Sequence, residues 1–467
     1  MATWEALSSV IAAALVSGGP PCLFYNYVAS FLCTICIATS LAEIASIYPT
    51  AGGQYCWVAA LSPARSKLAA SYFTGWISAL TTLNDDSYVP KRWQGMLFYW
   101  ATLLYAAGMN VWGVKAMPHV NLMSGITHIV AFFGTVITLV VMANKNTASF
   151  VFAEFVNSSG WDSDAVSWLI GLLNAVYPLL GYDAACHLAE ELPDASRNVP
   201  LAMIGSVVVN GLMGLVYCIL LLFSARSVNR LVDTPTGFPF MEIYLDATLS
   251  RVGATIMSLM LVLVAAAATV ASTTSTSRTL WAFARDKATP CHEYLSHVSP
   301  KLQVPVRAVV LVVALQALLG FMYLGNDAAF NAVLSMAVIG LYLSYILPIA
   351  YMFFHGRQNL GKQNFGSFRL RPWLGFTFNV VSMIWMVVVM VFRTFPTTLP
   401  ATLQRMNYSS VVLAGWLTFG AIYYTIAARH KFEVPVTYVS SIPNLSVSVH
   451  GDDKRLNKQD HGDLQFS

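Results

Sequence analysis

Hydrophobic and polar positions alternate along this chain on the scale of a bilayer rather than of a helix turn. Apolar runs fall near 4–17, 22–42, 68–83, 95–112, 121–142, 166–189, 201–225, 252–276, 305–325, 328–354, 374–393 and 409–427, and ionisable residues are nearly confined to the gaps. A helix needs roughly 20 apolar residues to cross a hydrocarbon core of about 30 Å. Lipid offers backbone groups no hydrogen-bonding partner, so each run satisfies its own N–H and C=O groups by coiling into a helix. The pattern predicts an all-α polytopic membrane protein with about twelve apolar segments. The first and third, 4–17 and 68–83, are shorter than the roughly 17 residues of the briefest spanning helix. Residues 1–427 read as the transmembrane domain. Residues 428–467, polar and rich in Ser, Asp and Lys, read as a disordered cytoplasmic tail.

Composition sharpens this. Hydrophobic residues make up 57% of the chain and charged residues 10%, against about 25% charged in a soluble domain. The net charge of +4 is spread over loops and tail, with no basic face that suggests nucleic acid. Threading the segments from an N-terminus inside places most of the 26 Lys and Arg on the cytoplasmic side, the bias expected of cytoplasmic loops. Asn157-Ser158-Ser159, a glycosylation acceptor pattern, then falls outside. The seven cysteines show no zinc-like pairing, and Cys33 and Cys36 read as small buried hydrophobes. No basic stretch precedes the first apolar segment, so no cleavable signal peptide is expected. The sequence has no P-loop, dinucleotide fingerprint or metal-ligand cluster, so no cofactor, metal, enzyme activity or ATP-driven step is expected.

Ionisable groups within spans are costly and are functional candidates by default. Asp183 lies deep in an apolar run, just after Pro178 and Gly181. Proline removes a helix hydrogen bond and glycine accepts unusual backbone angles. The helix is therefore expected to break near the midplane and offer bare backbone groups to a substrate or ion, with Tyr182 and Asp183 beside the break. A packing kink with a satisfied Asp is the competing reading. His187 lies one turn further on the same face. It and His128, inside another run, are candidate proton relays or satisfied structural histidines. Glu43 ends the second run, ahead of a turn-rich stretch at 48–55. The small, hydroxylated run 264–277 allows close helix packing and reads as packing before ligand contact.

Four stretches together carry a family resemblance: Ser17-Gly-Gly-Pro20; Ser40-Leu-Ala-Glu-Ile-Ala-Ser-Ile-Tyr-Pro-Thr-Ala-Gly-Gly-Gln-Tyr-Cys-Trp57; Gly181-Tyr-Asp-Ala-Ala-Cys-His-Leu-Ala-Glu-Glu191 with Ser196-Arg-Asn-Val-Pro200; and Ser277-Arg-Thr-Leu-Trp-Ala-Phe-Ala-Arg-Asp286 with Pro290. The chain resembles fungal permeases of the amino acid–polyamine–organocation superfamily, in the group that takes choline, GABA and other amino acids. The resemblance runs to about residue 430.

It implies two inverted five-helix repeats plus two helices, with substrate between the broken first and sixth helices. It also implies secondary import of a small amine or amino acid at the plasma membrane, coupled to protons, with sodium left open as the other coupling ion. Thr3, Trp4 and Glu5 from the first break, with Gly181, Tyr182 and Asp183 from the sixth helix, are the implied substrate residues. Asp183, His187 and His128 are the coupling candidates. Trp4 and Tyr182 offer aromatic faces to an amine, and Asp183 offers a counter-charge. Choline, GABA and other amino acids stay open. Two departures from the family pattern accompany this. The half-helix before the first break is missing, and the third span lacks roughly 20 residues by the length a span needs. A non-transporting nutrient receptor-like homologue and an inactive truncated isoform are the competing readings.

Overall fold

The computed structural model describes residues 2–62, 92–226, 228, 231, 238–325, 327–360, 365–400, 402 and 406–432. The short third segment at 68–83 and the tail beyond 432 lie outside the described residues. Among the described residues every regular element is helical. The main ones are α1 (Thr3–Ile47), α2 (Gln54–Leu61), α3 (Arg92–Val111), α4 (Met117–Met142), α5 (Asp164–Ile170), α6 (Ala195–Ser224), α7 (Pro239–Thr248), α8 (Arg251–Arg285), α9 (Val306–Gly325), α10 (Asp327–Tyr351), α11 (Pro372–Arg393) and α12 (Ser409–Tyr423). Eight helical stretches among the described residues are long and apolar enough to span a membrane. The chain is a multi-pass membrane protein. The last helix runs on through a π turn to Lys431, past the expected domain boundary at 427.

The first two apolar segments are the arms of one bent element. Inside α1, Gly19 takes φ 71° and ψ −164°, and Pro20 and Pro21 follow at once. Glycine pays no side-chain penalty for that φ, and Pro20 opens the second arm, where a missing N–H costs little. Space enforces the same choice, because a β-carbon at Gly19 would lie 3.2 Å from the Glu154 carbonyl oxygen.

The second arm packs along α6. Gly211 and Gly214 of α6 sit under the rings of Phe31 and Tyr27, and the Tyr27 hydroxyl donates to the Gly211 carbonyl at 3.1 Å. Small residues let the backbones approach so closely. Apolar side chains such as Ile129, Phe133 and Ile137 of α4 point outward, while Ser30, Asn110, Thr273 and Asn379 are buried. Lipid favours this distribution, since polar groups find partners only within the bundle. Asn110 of α3 shows how. Its Nδ2 donates to the Val270 carbonyl at 3.2 Å and its Oδ1 accepts from Thr274 at 2.7 Å. The hydroxylated run of α8 thus packs against α3 through Thr274, while Thr269, Ser272 and Ser275 of the same run line a cavity.

Two polar clusters fix the ends of the bundle. At one, Glu43 is fully buried and pairs with Arg357, just past α10. Its other oxygen accepts from the Leu370 N–H at 3.0 Å, and Gly375 at the start of α11 leaves room for the Arg357 guanidinium. Nearby, Ser46 accepts from the Phe368 N–H at 2.9 Å. The sequence read Glu43 only as the end of a run, but it joins α1 to α10 and α11. At the other end, Asn157 donates to the Trp161 carbonyl and to Asp164, each at 3.0 Å. Its amide nitrogen is engaged inside the loop.

Candidate functional site: a cavity at the helix break

The break falls where Pro178 and Gly181 predict it. The helix is α-helical to Val176, tightens to a 3₁₀ turn over Tyr177–Leu179, and stops at Leu180, which is extended. Gly181 takes φ 87° and ψ 13°, and the chain resumes as a 3₁₀ helix over Tyr182–Glu191. Ten residues is long for a 3₁₀ helix, whose hydrogen bonds are poorer, and such stretches mark strain or a hinge. Nothing lies within 4 Å of the space a Gly181 side chain would fill. The glycine faces a cavity of about 610 Å³.

That cavity is walled by the first turn of α1, the middle of α4, the break at 177–184, and α7 and α8. Among the predicted site residues, Glu5, His128, Gly181 and Asp183 line it. Glu5 comes from the first turn of α1, and His128 meets it from α4 with Nδ1 2.6 Å from Oε1. The second oxygen of Glu5 has no hydrogen-bond partner.

Thr3, Trp4 and Tyr182 are placed differently. Trp4 is 0% exposed and Tyr182 2% exposed, and neither they nor Thr3 line the cavity. The Trp4 ring packs on Tyr217, Phe132 and His128 at centroid distances of 5.3, 6.0 and 6.1 Å. The Tyr182 ring lies 5.5 Å from Tyr345. In this conformation both aromatic faces are spent on protein neighbours. Burying a large ring against other rings gains more than leaving it to line water.

Asp183 is 6% exposed. The Gln54 amide, at the start of α2, donates to its Oδ2 at 2.9 Å. His187 Nε2 lies 3.6 Å from the same oxygen. The other ring nitrogen, Nδ1, is 3.1 Å from the Ala51 carbonyl and 3.1 Å from the Thr279 hydroxyl. A carbonyl can only accept, so Nδ1 carries a proton. Gly53, at φ 54°, lets the loop lie against the imidazole, where a β-carbon would approach to 3.0 Å. The turn-rich stretch ahead of α2 thus closes over Asp183 and His187, and α8 completes the cage through Thr279.

Beyond His187 the contacts become ionic. Glu190 accepts from the Ala51 N–H at 3.3 Å and meets Arg285 at 3.4 Å. Arg285 also contacts Asp286 at 3.4 Å, and the Tyr55 hydroxyl donates to Asp286 at 2.9 Å. Burial pushes the Asp286 carboxyl above its ordinary value, although Arg285 and the Tyr55 bond oppose the rise. Sequence reasoning singled out Asp183, His187, His128 and Glu5, but not the partners Gln54 and Thr279, nor the pairing of Glu5 with His128. Gln54 and Thr279 are polar residues at segment ends, and nothing in the local pattern separates them from ordinary loop and packing residues. Among the described residues no group of His, Cys, Asp and Glu is arranged to hold a metal ion.

Comparison with known proteins agrees with this architecture. A family model described as amino acid permease matches residues 1–419. The choline transporter of Saccharomyces cerevisiae is 30% identical over 452 residues, covering 92% of this chain and 79% of the relative. The amino-acid permease BAT1 of Arabidopsis thaliana is 30% identical, covering 91% and 88%. The swainsonine transporter swnT of Arthroderma benhamiae is 27% identical, with the same two coverages. With its helical membrane architecture and a match along most of its length, the chain belongs to the amino acid permease family, and it is a transporter rather than an enzyme.

Proposed function

We propose that this chain imports a small amine at the plasma membrane, either choline or an amino acid such as GABA, and that the cavity at the break is its substrate site. The observation that carries the reading is electrostatic. Two buried carboxylates, Glu5 and Asp183, border one cavity, and its described lining includes no Lys or Arg. Such a cavity favours a cation, because buried carboxylates are costly without full counter-charge and a positive ligand adds to the partial compensation that His128 and His187 give them. The similarity to a choline transporter and to amino-acid permeases supports an ammonium-bearing substrate. In this reading Glu5, Gly181 and Asp183 touch substrate, while Thr3, Trp4 and Tyr182 form the wall behind them.

The same site supports proton coupling. His187 Nδ1 has its proton committed to the Ala51 carbonyl, and Nε2 faces the Asp183 carboxylate at 3.6 Å. A second proton on the ring or on the carboxyl turns that contact from a mismatch into a bond. The Glu5–His128 pair offers a second such place on the opposite wall. We read the chain as two inverted five-helix repeats plus two helices, with an N-terminus inside, so that the Tyr55–Asp286 and Glu43–Arg357 clusters face the cytoplasm. Uptake of labelled choline and of labelled GABA by cells expressing the chain, each competed by the other and each measured with and without a protonophore, tests this. Saturable uptake of one of them that collapses with the proton gradient is expected. Equal, unsaturable entry of both would overturn it.

A further inference from the structure

Away from the cavity, buried polar groups gather along the seam between the second arm of α1, α10 and α11, three helices in mutual contact. Thr34 and Ser40 of α1 and Ser382 of α11 are each at most 1% exposed, and none of their hydroxyls has a hydrogen-bond partner. Asn379 Nδ2 and Trp385 Nε1 of α11 are buried and unpaired as well. Native interiors leave few such groups without partners. A row of them on facing helices calls for a bridge, and water is the usual one.

The row is continuous with the site. The Tyr345 hydroxyl faces Asp183 without reaching hydrogen-bonding geometry. The Tyr182 ring is 5.5 Å from that of Tyr345 by centroids, and the Tyr342 ring is 6.4 Å from Tyr345. The Tyr342 hydroxyl in turn lies beside Thr34 and Trp385. From there register leads onward. Glu43 of α1 and Gly375 of α11 both abut Arg357, and the two helices run in opposite directions. At a rise of about 1.5 Å per residue, Ser40 then sits level with Asn379, and Thr34 with Trp385. The row ends at the Glu43–Arg357 pair, where Arg357 Nε is also unpaired.

We propose that this seam holds a file of water and forms a route, separate from the substrate cavity, by which the proton carried on His187 Nε2, beside Asp183 Oδ2, leaves to the cytoplasm. His187 returns to its neutral form as its Nε2 proton passes by way of Asp183 Oδ2 to the first water, Asp183 ends as the carboxylate it began as, and the file delivers one proton to bulk water beyond Ser40 and Asn379. The route rests on the proton-driven reading above. It lets the proton leave without crossing the bound amine.

Hydroxyl-radical footprinting of the intact chain in detergent tests for the water. Tyr342 and Tyr345 should be oxidised several-fold faster than Tyr27, which is equally buried but hydrogen-bonded to Gly211. Oxidation no faster than at Tyr27 overturns the proposal. Proteoliposomes test the route. In N379L/S382V, tracer exchange of substrate at equal concentrations should be unchanged, while accumulation driven by an imposed proton gradient should fall several-fold. A gradient-driven wild type with an unimpaired variant overturns the route alone. A wild type that ignores the gradient overturns the coupling reading and the route with it.

Discussion

His128 of α4 holds the Glu5 carboxylate of α1 at 2.6 Å, and the other Glu5 oxygen has no hydrogen-bond partner. The pair ties the first turn of α1 to α4 in the cavity wall. Breaking a buried pair by removing one partner costs about 3–5 kcal/mol, because the remaining charge loses its compensation. His128→Ala should lower the melting temperature in detergent and abolish uptake. Adding Glu5→Gln should recover most of the stability but not uptake, if Glu5 serves the substrate as well as the fold. Thermal melts and uptake on the same membranes separate the two roles.

The Glu43–Arg357 pair predicts a purely structural loss. Glu43 is fully buried and has Arg357 and the Leu370 N–H as partners. Arg357→Ala leaves a buried carboxylate uncompensated and should cost about 3–5 kcal/mol. E43Q/R357M, which removes both charges, should cost less than the single change. A double-mutant cycle of thermal stability measures the coupling.

Two glycines are glycines for opposite reasons, and their variants should differ. Gly181 has φ 87° but open space around it, so Gly181→Ala pays only for the left-handed backbone, about 1–2 kcal/mol. Gly214 is helical, but its space is occupied by Tyr27 and Thr3. Gly214→Leu must push α1 from α6 and should leave little folded protein. Size-exclusion profiles and melts of the two variants check the contrast.

The Tyr55–Asp286 bond gives a pH prediction. Asp286 is raised above its ordinary value by burial, with Glu190 adding to the rise and Arg285 and Tyr55 opposing it. A carboxyl whose value is raised when the cluster is closed binds a proton more readily there than when open to water. Closure is therefore favoured as pH falls and loses that support as pH rises through the raised value. Labelling of Ser275→Cys, on the cavity wall, from the cytoplasmic side should slow on mild acidification. Asp286→Asn should remove that slowing. The ratio of the two labelling rates at each pH cancels the titration of the thiol itself.

Most of the architecture was legible because lipid allows so few solutions. A run long enough to span becomes a helix, and Pro178 with Gly181 breaks one where the backbone demands it. Asp183 stood out because a carboxylate in hydrocarbon is rarely accidental. Partnership was not legible. Glu5 meets His128, Asp183 meets Gln54, and Glu43 meets Arg357 across separations of more than a hundred residues, and no local pattern encodes which helix faces which. The packing of the Trp4 and Tyr182 rings was hidden for the same reason. Sequence shows that an aromatic is near a break, but only packing decides whether its face is free. The seam of Thr34, Tyr342 and Ser382 was invisible because hydroxyls in spans usually bond back to their own helix.

The central claim is that the Asp183 carboxylate binds the ammonium group of the substrate. Equilibrium binding of labelled choline and of labelled GABA to purified protein, wild type against Asp183→Asn, tests it most directly. Two unit charges about 4 Å apart attract by about 4 kcal/mol at an effective dielectric constant of about 20, whether or not the ammonium carries an N–H, so the dissociation constant of whichever ligand binds should rise about tenfold or more, with the variant as folded as the parent. Unchanged affinity in a folded Asp183→Asn variant would contradict the account.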